Sequence, residues 1–396
     1  MPTIDEQVAL LARRCERIVP EADLRRKLAS GRPLRIKLGM DPTAPDVTLG
    51  HAVPLRVVRQ FQDWGHKAVL IIGDYTARVG DPSGQNATRP MLSGEQIDAN
   101  AKTYVEQVGR ILMTDPDHLE VRYNSEWLGT MTMLDIIRLT SRKTVSQMLQ
   151  RDTFKERFEK GSEIHLHEFL YPLLQGWDSV KIDADVEMGG SDQLFNNLVG
   201  RELQQDEGRE PQVVIVTPLL VGTDGTMKMS KSKGNYIGVA DPPSGPNGMF
   251  GKIMSLPDAL LESYWTLLSD EPKESIARKI AASPRDAKVE LARRIISWLH
   301  SPQAADAAEA EFTKVVVKGG VPDEMPQVAV GTGPHRLAAL LAKAGLTASN
   351  SEGLRKIREG AVRVDNVKAT DEKAELRIEK PTVLQLGNRK FVRLVP

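Results

Sequence analysis

Residues 34 to 72 leave this chain little choice of architecture. Leu34-Arg35-Ile36-Lys37-Leu38 reads as a short strand, followed by the turn Gly39-Met40-Asp41-Pro42-Thr43. From His51 to Trp64 the apolar residues Val53, Val57, Val58 and Phe61 recur at helical spacing, and Gly65 closes the helix. Lys67-Ala68-Val69-Leu70-Ile71-Ile72 is then a near-continuous apolar strand ending in Gly73-Asp74. Strand, helix and strand of these lengths make a right-handed parallel unit, and ligands of such units sit at the C-terminal ends of the strands. Val213-Val214-Ile215-Val216-Thr217-Pro218-Leu219-Leu220 is a later buried strand.

Two short motifs fall where such a sheet would present a ligand. Thr48-Leu49-Gly50-His51 opens the helix, where Gly50 lets backbone approach a ligand closely and free N–H groups attract phosphate. Lys228-Met229-Ser230-Lys231-Ser232 follows the later strand, and its two lysines are compact charges on flexible stems, suited to a moving triphosphate. Either motif alone could be a solvated basic turn or a capping glycine; the pair in this order points to a nucleotide. Tyr171, Gln175 and Asp178 are spaced i, i+4, i+7 and share one helix face, with Leu170, Leu173, Leu174 and Trp177 on the others. That face is either a buried hydrogen-bonded set or a solvent-facing stripe. Gly189-Gly190-Ser191-Asp192-Gln193-Leu194 is a glycine pair opening another helix, which a plain turn would also explain.

The two motifs resemble the HIGH and KMSKS signatures of class I aminoacyl-tRNA synthetases, with Thr48 standing where the first His usually sits. The Tyr171/Gln175/Asp178 spacing, the Gly189–Gln193 run, Asp41-Pro42-Thr43-Ala44 and Gly80-Asp81-Pro82-Ser83-Gly84 are similar to the amino-acid pocket of the bacterial tyrosyl-tRNA synthetase family, and Lys37, the intact KMSKS and Thr48-Leu49-Gly50-His51 in place of HIGH resemble the second of its two subtypes. The resemblance runs over essentially the whole chain. It implies tyrosine activation by ATP, brought as a magnesium complex, and transfer to tRNA(Tyr), with no resident metal or prosthetic group. Carried over by motif, Asp178 would accept a hydrogen bond from the substrate phenol, and Tyr171, Gln175 and Asp81 would hold its ammonium group. Gln193 and Asp192 would reach the carboxylate side and the ribose. Asp41, Thr43, Gly50 and His51 would contact ATP, and Thr48, His51, Lys228 and Lys231 would serve catalysis. Many bacterial members carry Tyr at the position of Lys37; a lysine is out of place beside a neutral hydroxyl, and pairing with a nearby carboxylate is expected. A tryptophanyl enzyme shares the class motifs, but Asp178 would then have to face an indole N–H. A catalytically dead RNA-binding relative would show decay in the ATP motifs, and KMSKS is whole.

The fold expected is α/β: a Rossmann-like parallel-sheet catalytic domain over residues 1–248, a helical anticodon-arm domain over 249–330, and a small α+β RNA-binding domain over 334–396. Between them, Gly319-Gly320-Val321-Pro322 and Val330-Gly331-Thr332-Gly333-Pro334 read as linker. Helical patterns cover Leu256 to Leu268, Lys273 to Ala282 and Asp286 to His300, each near a proline suited to a helix start. The chain is neutral overall, yet from Pro334 onward it carries 13 Lys and Arg against 7 Asp and Glu, +6, leaving −6 on what precedes. A basic tail on an acidic body suits an appended nucleic-acid module, with Arg355, Lys356 and Arg358 on its second helix as the tRNA-phosphate candidates. One cysteine, Cys15, excludes an intramolecular disulfide. With no signal-like N-terminus and no run of roughly 18 apolar residues, a cytoplasmic protein without membrane contact is expected, a homodimer by resemblance.

Overall fold

The computed structural model describes residues 2–83, 93–245, 247–322, 325–387 and 390–396. They form two compact units, one of residues 1–240 with 257–281, the other of 241–256 with 282–396. The segment from 249 to 330, read as one helical domain, contributes to both.

The first unit is built on a sheet of β1 (Arg17–Val19), β2 (Arg35–Met40), β3 (Lys67–Ile72), β4 (Leu119–Tyr123), β5 (Val186–Gly190) and β6 (Val213–Thr217), in spatial order β1-β6-β5-β2-β3-β4. All neighbours are parallel except β1, which runs antiparallel to β6. The chain builds outward from β2 through β3 to β4, then returns to place β5 on the other side of β2. That reversal opens a crevice at the C-terminal ends of β2 and β5. Helix α1 (Leu49–Asp63) joins β2 to β3 and buries Val53, Val57, Val58 and Phe61, the four residues whose spacing announced it. Gly65, at φ +82°, ends it, because only glycine takes that conformation without strain.

Three more helices shape the crevice, α2 (Gly94–Val108) and the pair α3 (Leu170–Lys181) and α4 (Leu194–Asp206). α3 packs Leu173, Leu174 and Val180 against Val69, Ile71, Trp127 and Leu203. It lies unusually close to α4: a Cβ added at Gly176 would stand 2.9 Å from Leu203 Cδ1 and 3.0 Å from the Gly200 nitrogen. Two glycines facing each other let the helix backbones nearly touch.

In the second unit, helices Pro284–Leu299 and Pro302–Phe312 each begin on a proline after a serine cap, which costs no hydrogen bond because the first-turn N–H has no helical partner. The C-terminal body packs Leu337–Lys343 and Asn350–Arg358 on a five-stranded sheet. Gln327–Ala329, between the two runs read as linker and inside the segment read as helical, is a strand of that sheet, parallel to Lys390–Val395, and Val330 is buried in its core.

Gly176→Ala should destabilise the protein by about 1–3 kcal/mol, the range for forcing extra volume into a packed interface. Denaturant unfolding checks it; an unchanged midpoint would mean the helices separate freely.

Candidate active site

The crevice is a cavity of about 590 Å³, and every residue singled out from sequence for ATP or tyrosine lines it: Asp41, Thr43, Thr48, Gly50, His51, Asp81, Tyr171, Gln175, Asp178, Asp192, Gln193, Lys228 and Lys231. Arg355, Lys356 and Arg358 lie in the other unit, on helix Asn350–Arg358. Gly84 of the Gly80–Gly84 motif lies outside the described residues.

One end of the cavity is acidic. Asp178 is buried on α3, where Trp127 Nε1–H donates to one oxygen at 2.8 Å and the Asn124 amide to the other at 3.3 Å. Burial pushes its carboxyl up to about 7, against the pull of the Lys37 ammonium. Asp41 accepts from Thr76 Oγ1 at 2.7 Å and from the Tyr171 phenol at 2.9 Å, and burial raises it to about 7 as well. Read by resemblance as an ATP contact, Asp41 here holds Tyr171, whose phenol is pushed far up by burial and by the carboxylates of Asp41, Asp81 and Asp178. Asp81 accepts from the backbone and hydroxyl of Ser83 at 2.8 and 2.7 Å and from the Gln193 amide at 2.8 Å. The buried amide of Asn196 donates to both Gln175 and Gln193 at 3.0 Å, which settles the orientation of the two glutamines.

The other end is basic. Lys228 pairs with Asp192 at 2.8 Å. Lys231 donates to the Ala44 carbonyl at 3.2 Å and to the Tyr104 hydroxyl at 2.9 Å, with its ammonium 4.9 Å from that ring's centre. Burial lowers the Lys231 ammonium to about 8. At the mouth of α1, the Thr48 N–H donates to His51 Nδ1 at 3.1 Å and the Thr48 hydroxyl lies 2.9 Å from the same atom. Nδ1 is thus an acceptor, and the neutral ring carries its proton on Nε2. Burial, then Lys231 and Lys228, hold the imidazolium down to about 4. Thr48 therefore sets the His51 tautomer.

Glycine serves different ends around the crevice. A Cβ at Gly73 would fall 1.9 Å from Asp41 Oδ1, so the acid itself demands glycine there. At Gly50 a Cβ would meet only ordinary contacts, Thr48 Oγ1 at 3.4 Å and Met229 Cβ at 3.7 Å. The surrounding protein does not by itself forbid a side chain at Gly50.

Sequence reading missed Asn124, Trp127, Thr76, Tyr104 and Asn196. Asn124 and Trp127 follow β4, at the end of a parallel strand where site residues gather, and that position was the available signal. Tyr104 and Asn196 sit inside ordinary helical patterns and had none. Among the described residues, no group of three or more His, Cys, Asp or Glu is placed to hold a metal ion, and no helix is long and apolar enough to cross a membrane.

A parallel sheet with its order reversed at β2/β5, a helix start carrying Gly-His and a lysine loop across the same crevice define a nucleotide-dependent synthetase site. The model of the family described as tRNA synthetases class I (W and Y) matches residues 29–317, and the chain belongs to this family. It is 48% identical to the tyrosine–tRNA ligase of Moorella thermoacetica, covering 99% of this chain and 96% of that protein, and 49% identical to the tyrosine–tRNA ligase of Bordetella pertussis over 99% and 97%. It is 50% identical to tyrosine–tRNA ligase 2 of Vibrio parahaemolyticus over 100% and 99%. Among solved structures, the fold matches the C-terminally truncated mitochondrial tyrosyl-tRNA synthetase of Aspergillus nidulans (TM-score 0.64, 23% identity, 78% of this chain and 93% of that one). It also matches the tyrosyl-tRNA synthetase of Archaeoglobus fulgidus complexed with L-tyrosine (0.62, 23%, 78% and 100%).

His51 should remain the neutral Nε2–H tautomer throughout the neutral range in nitrogen-resolved imidazole spectra, protonating only near pH 4. Because its folded value lies below the unfolded 6.5, the unfolded chain binds the proton first. This site therefore loses stability as pH falls below about 6.5.

Proposed function

We propose that this chain is a tyrosine–tRNA ligase, activating L-tyrosine with ATP to tyrosyl-adenylate and transferring the tyrosyl group to the 3′ end of tRNA(Tyr). The observation that carries the reading is the acidic end of the cavity. Asp178 is fixed by Trp127 and Asn124 yet lines open space, an acceptor suited to a phenol hydroxyl. Tyr171, Gln175 and Asp81 hold the ammonium group on the same side, and Gln193 reaches the carboxylate. The full-length identity of about one half to tyrosine–tRNA ligases supports tyrosine over tryptophan.

The tyrosine carboxylate attacks the α-phosphorus of ATP, forming the acyl phosphate bond as the bond to pyrophosphate breaks. A terminal ribose hydroxyl of tRNA then attacks the acyl carbon and AMP leaves. Neither step requires a protein nucleophile, so catalysis rests on alignment and charge stabilisation. Thr43, Gly50 and the Nε2–H of His51 meet the ATP phosphates, Asp192 the ribose, and Lys228 and Lys231 neutralise pyrophosphate as it departs. Thr48 acts through His51, and Asp41 buttresses Tyr171. Magnesium accompanies ATP as part of the substrate. Phenylalanine would leave the buried polar groups of the site unpaired and is rejected on that account, as it is by tyrosyl-tRNA synthetases in general.

The helical segments over 249–330 take the anticodon arm, and the basic C-terminal module takes tRNA backbone through Arg355, Lys356 and Arg358. These side chains meet Glu352, Glu359 and Glu372 across exposed surface, in pairs of the kind that contribute little and yield readily to phosphate. The working form is a homodimer in the cytoplasm. Its support is an apolar surface left open on the first unit: Met133, Leu134 and Ile137 on one helix, with Val145, Phe158 and Leu166 nearby in sequence, all more than half exposed.

ATP–pyrophosphate exchange across the twenty amino acids should respond to tyrosine alone. Asp178→Ala should lower its kcat/KM by roughly 10- to 100-fold, the loss of a charge-assisted bond of about 1.5–3 kcal/mol. Near-normal exchange with intact discrimination against phenylalanine would overturn the assignment. Replacing Arg355, Lys356 and Arg358 together by Ala should leave exchange unchanged, weaken tRNA binding and reduce its salt slope by about 2 to 3. Filter binding at several salt concentrations measures it, and an unchanged slope would remove tRNA contact from that helix.

A further inference from the structure

Behind the acidic end of the cavity lies a lysine with no exposed surface. Lys37, in the middle of β2, is wholly buried; its ammonium is 2.8 Å from Glu187 Oε1, 2.7 Å from Ser179 Oγ and 2.8 Å from the backbone carbonyl of Gln175. Glu187 is almost equally buried on β5 and accepts further from the Gln175 amide at 3.2 Å, from Ser179 Oγ at 3.1 Å and from Gln212. Burying an ion pair is costly, and an apolar pair of the same volume is usually at least as stable. Packing alone does not account for this one.

Its placement does. Gln175 and Ser179 bracket Asp178 on α3, and Lys37 grips that turn from below through a carbonyl and a hydroxyl. We propose that Lys37 is a positioning residue for tyrosine recognition, locking the α3 turn that aims Gln175 and Asp178 into the cavity and placing a buried cation behind Asp178 that keeps its carboxylate ready to accept the phenol. The inference rests on the tyrosine reading above.

The charged and titratable groups around Asp178 are Lys37 on β2, Glu187 on β5, Asp41 and Asp81 across the cavity, and Tyr171 on its own helix. Burial raises the Asp178 carboxyl, Lys37 draws its proton off, and Glu187 opposes Lys37. An ionised carboxylate only accepts, whereas a protonated one carries a donor O–H and accepts the phenol less well. Tyrosine affinity should therefore fall as pH drops through the Asp178 value near 7.

Equilibrium dialysis of L-tyrosine against the full-length enzyme, from weakly acidic to weakly alkaline pH, tests the proposal. Lys37→Met should weaken tyrosine binding about 10-fold or more at neutral pH and move the acid limb upward by about one unit. Glu187→Gln, which keeps the lysine and retains a hydrogen-bonding amide, should move the limb downward. A purely structural role gives no such opposition, since both substitutions would then weaken binding without moving the limb. Limbs that stay put, or move together, would overturn the proposal. If Lys37→Met fails to fold, a Glu187→Gln limb that is unmoved or raised overturns it alone. If the unaltered enzyme binds no tyrosine, the functional reading fails instead, and the two failures are distinct.

Discussion

The cross-strand pair of Lys37 and Glu187 sits where the sheet reverses its order. The two residues are direct register partners between β2 and β5, the strands whose parting opens the crevice. Sliding β5 by one residue would set Lys37 against Val186 or Met188 and leave two buried charges without partners. Breaking such a pair is far more expensive than never having made it, so the pair specifies register even where it adds no net stability. Everything lining the crevice inherits that register: Gly189 and Gly190 at the end of β5, Asp41 just past β2, and through Ser179 the helix bearing Asp178.

The cavity is bipolar, and the polarity follows from which elements reach it. The end of β2, the turn at Asp81 and α3 supply carboxylates, fixed by Thr76, Gln193, Trp127 and Asn124. The start of α1 and the loop after β6 supply His51, Lys228 and Lys231. A ligand with a cation at one end and several anions at the other fits this gradient in one direction only. Asn196 contributes without touching the cavity, because it orients Gln175 and Gln193 together.

How much of this was legible in the chain depended on how far each signal reached along it. The strand–helix–strand unit appeared within a residue or two of its place, since both its periodicity and its closing glycine are local. The Tyr171, Gln175 and Asp178 face was equally visible, although spacing alone left its burial open; Asp178 proves buried and bonded rather than solvent-facing. Lys37 was expected to meet a carboxylate, and Glu187 is that carboxylate, but the partner lies 150 residues away and no pattern names it. Trp127 and Tyr104 escaped notice for the same reason: their purpose exists only once the sheet is assembled. The strand Gln327–Ala329 was hidden by its own brevity between two glycine-rich runs.

The lysines of the loop after β6 are already engaged. Lys228 rests on a carboxylate and Lys231 on a carbonyl and a phenol, so neither waits bare in solvent. A polyanion arriving at that end competes with Asp192 for Lys228 and with Tyr104 for Lys231. Capture of such a guest is an exchange of partners rather than the filling of a vacancy. An exchange of this kind discriminates by displacement: a weakly charged intruder, unable to outbid the resident acceptors, leaves the loop where it is.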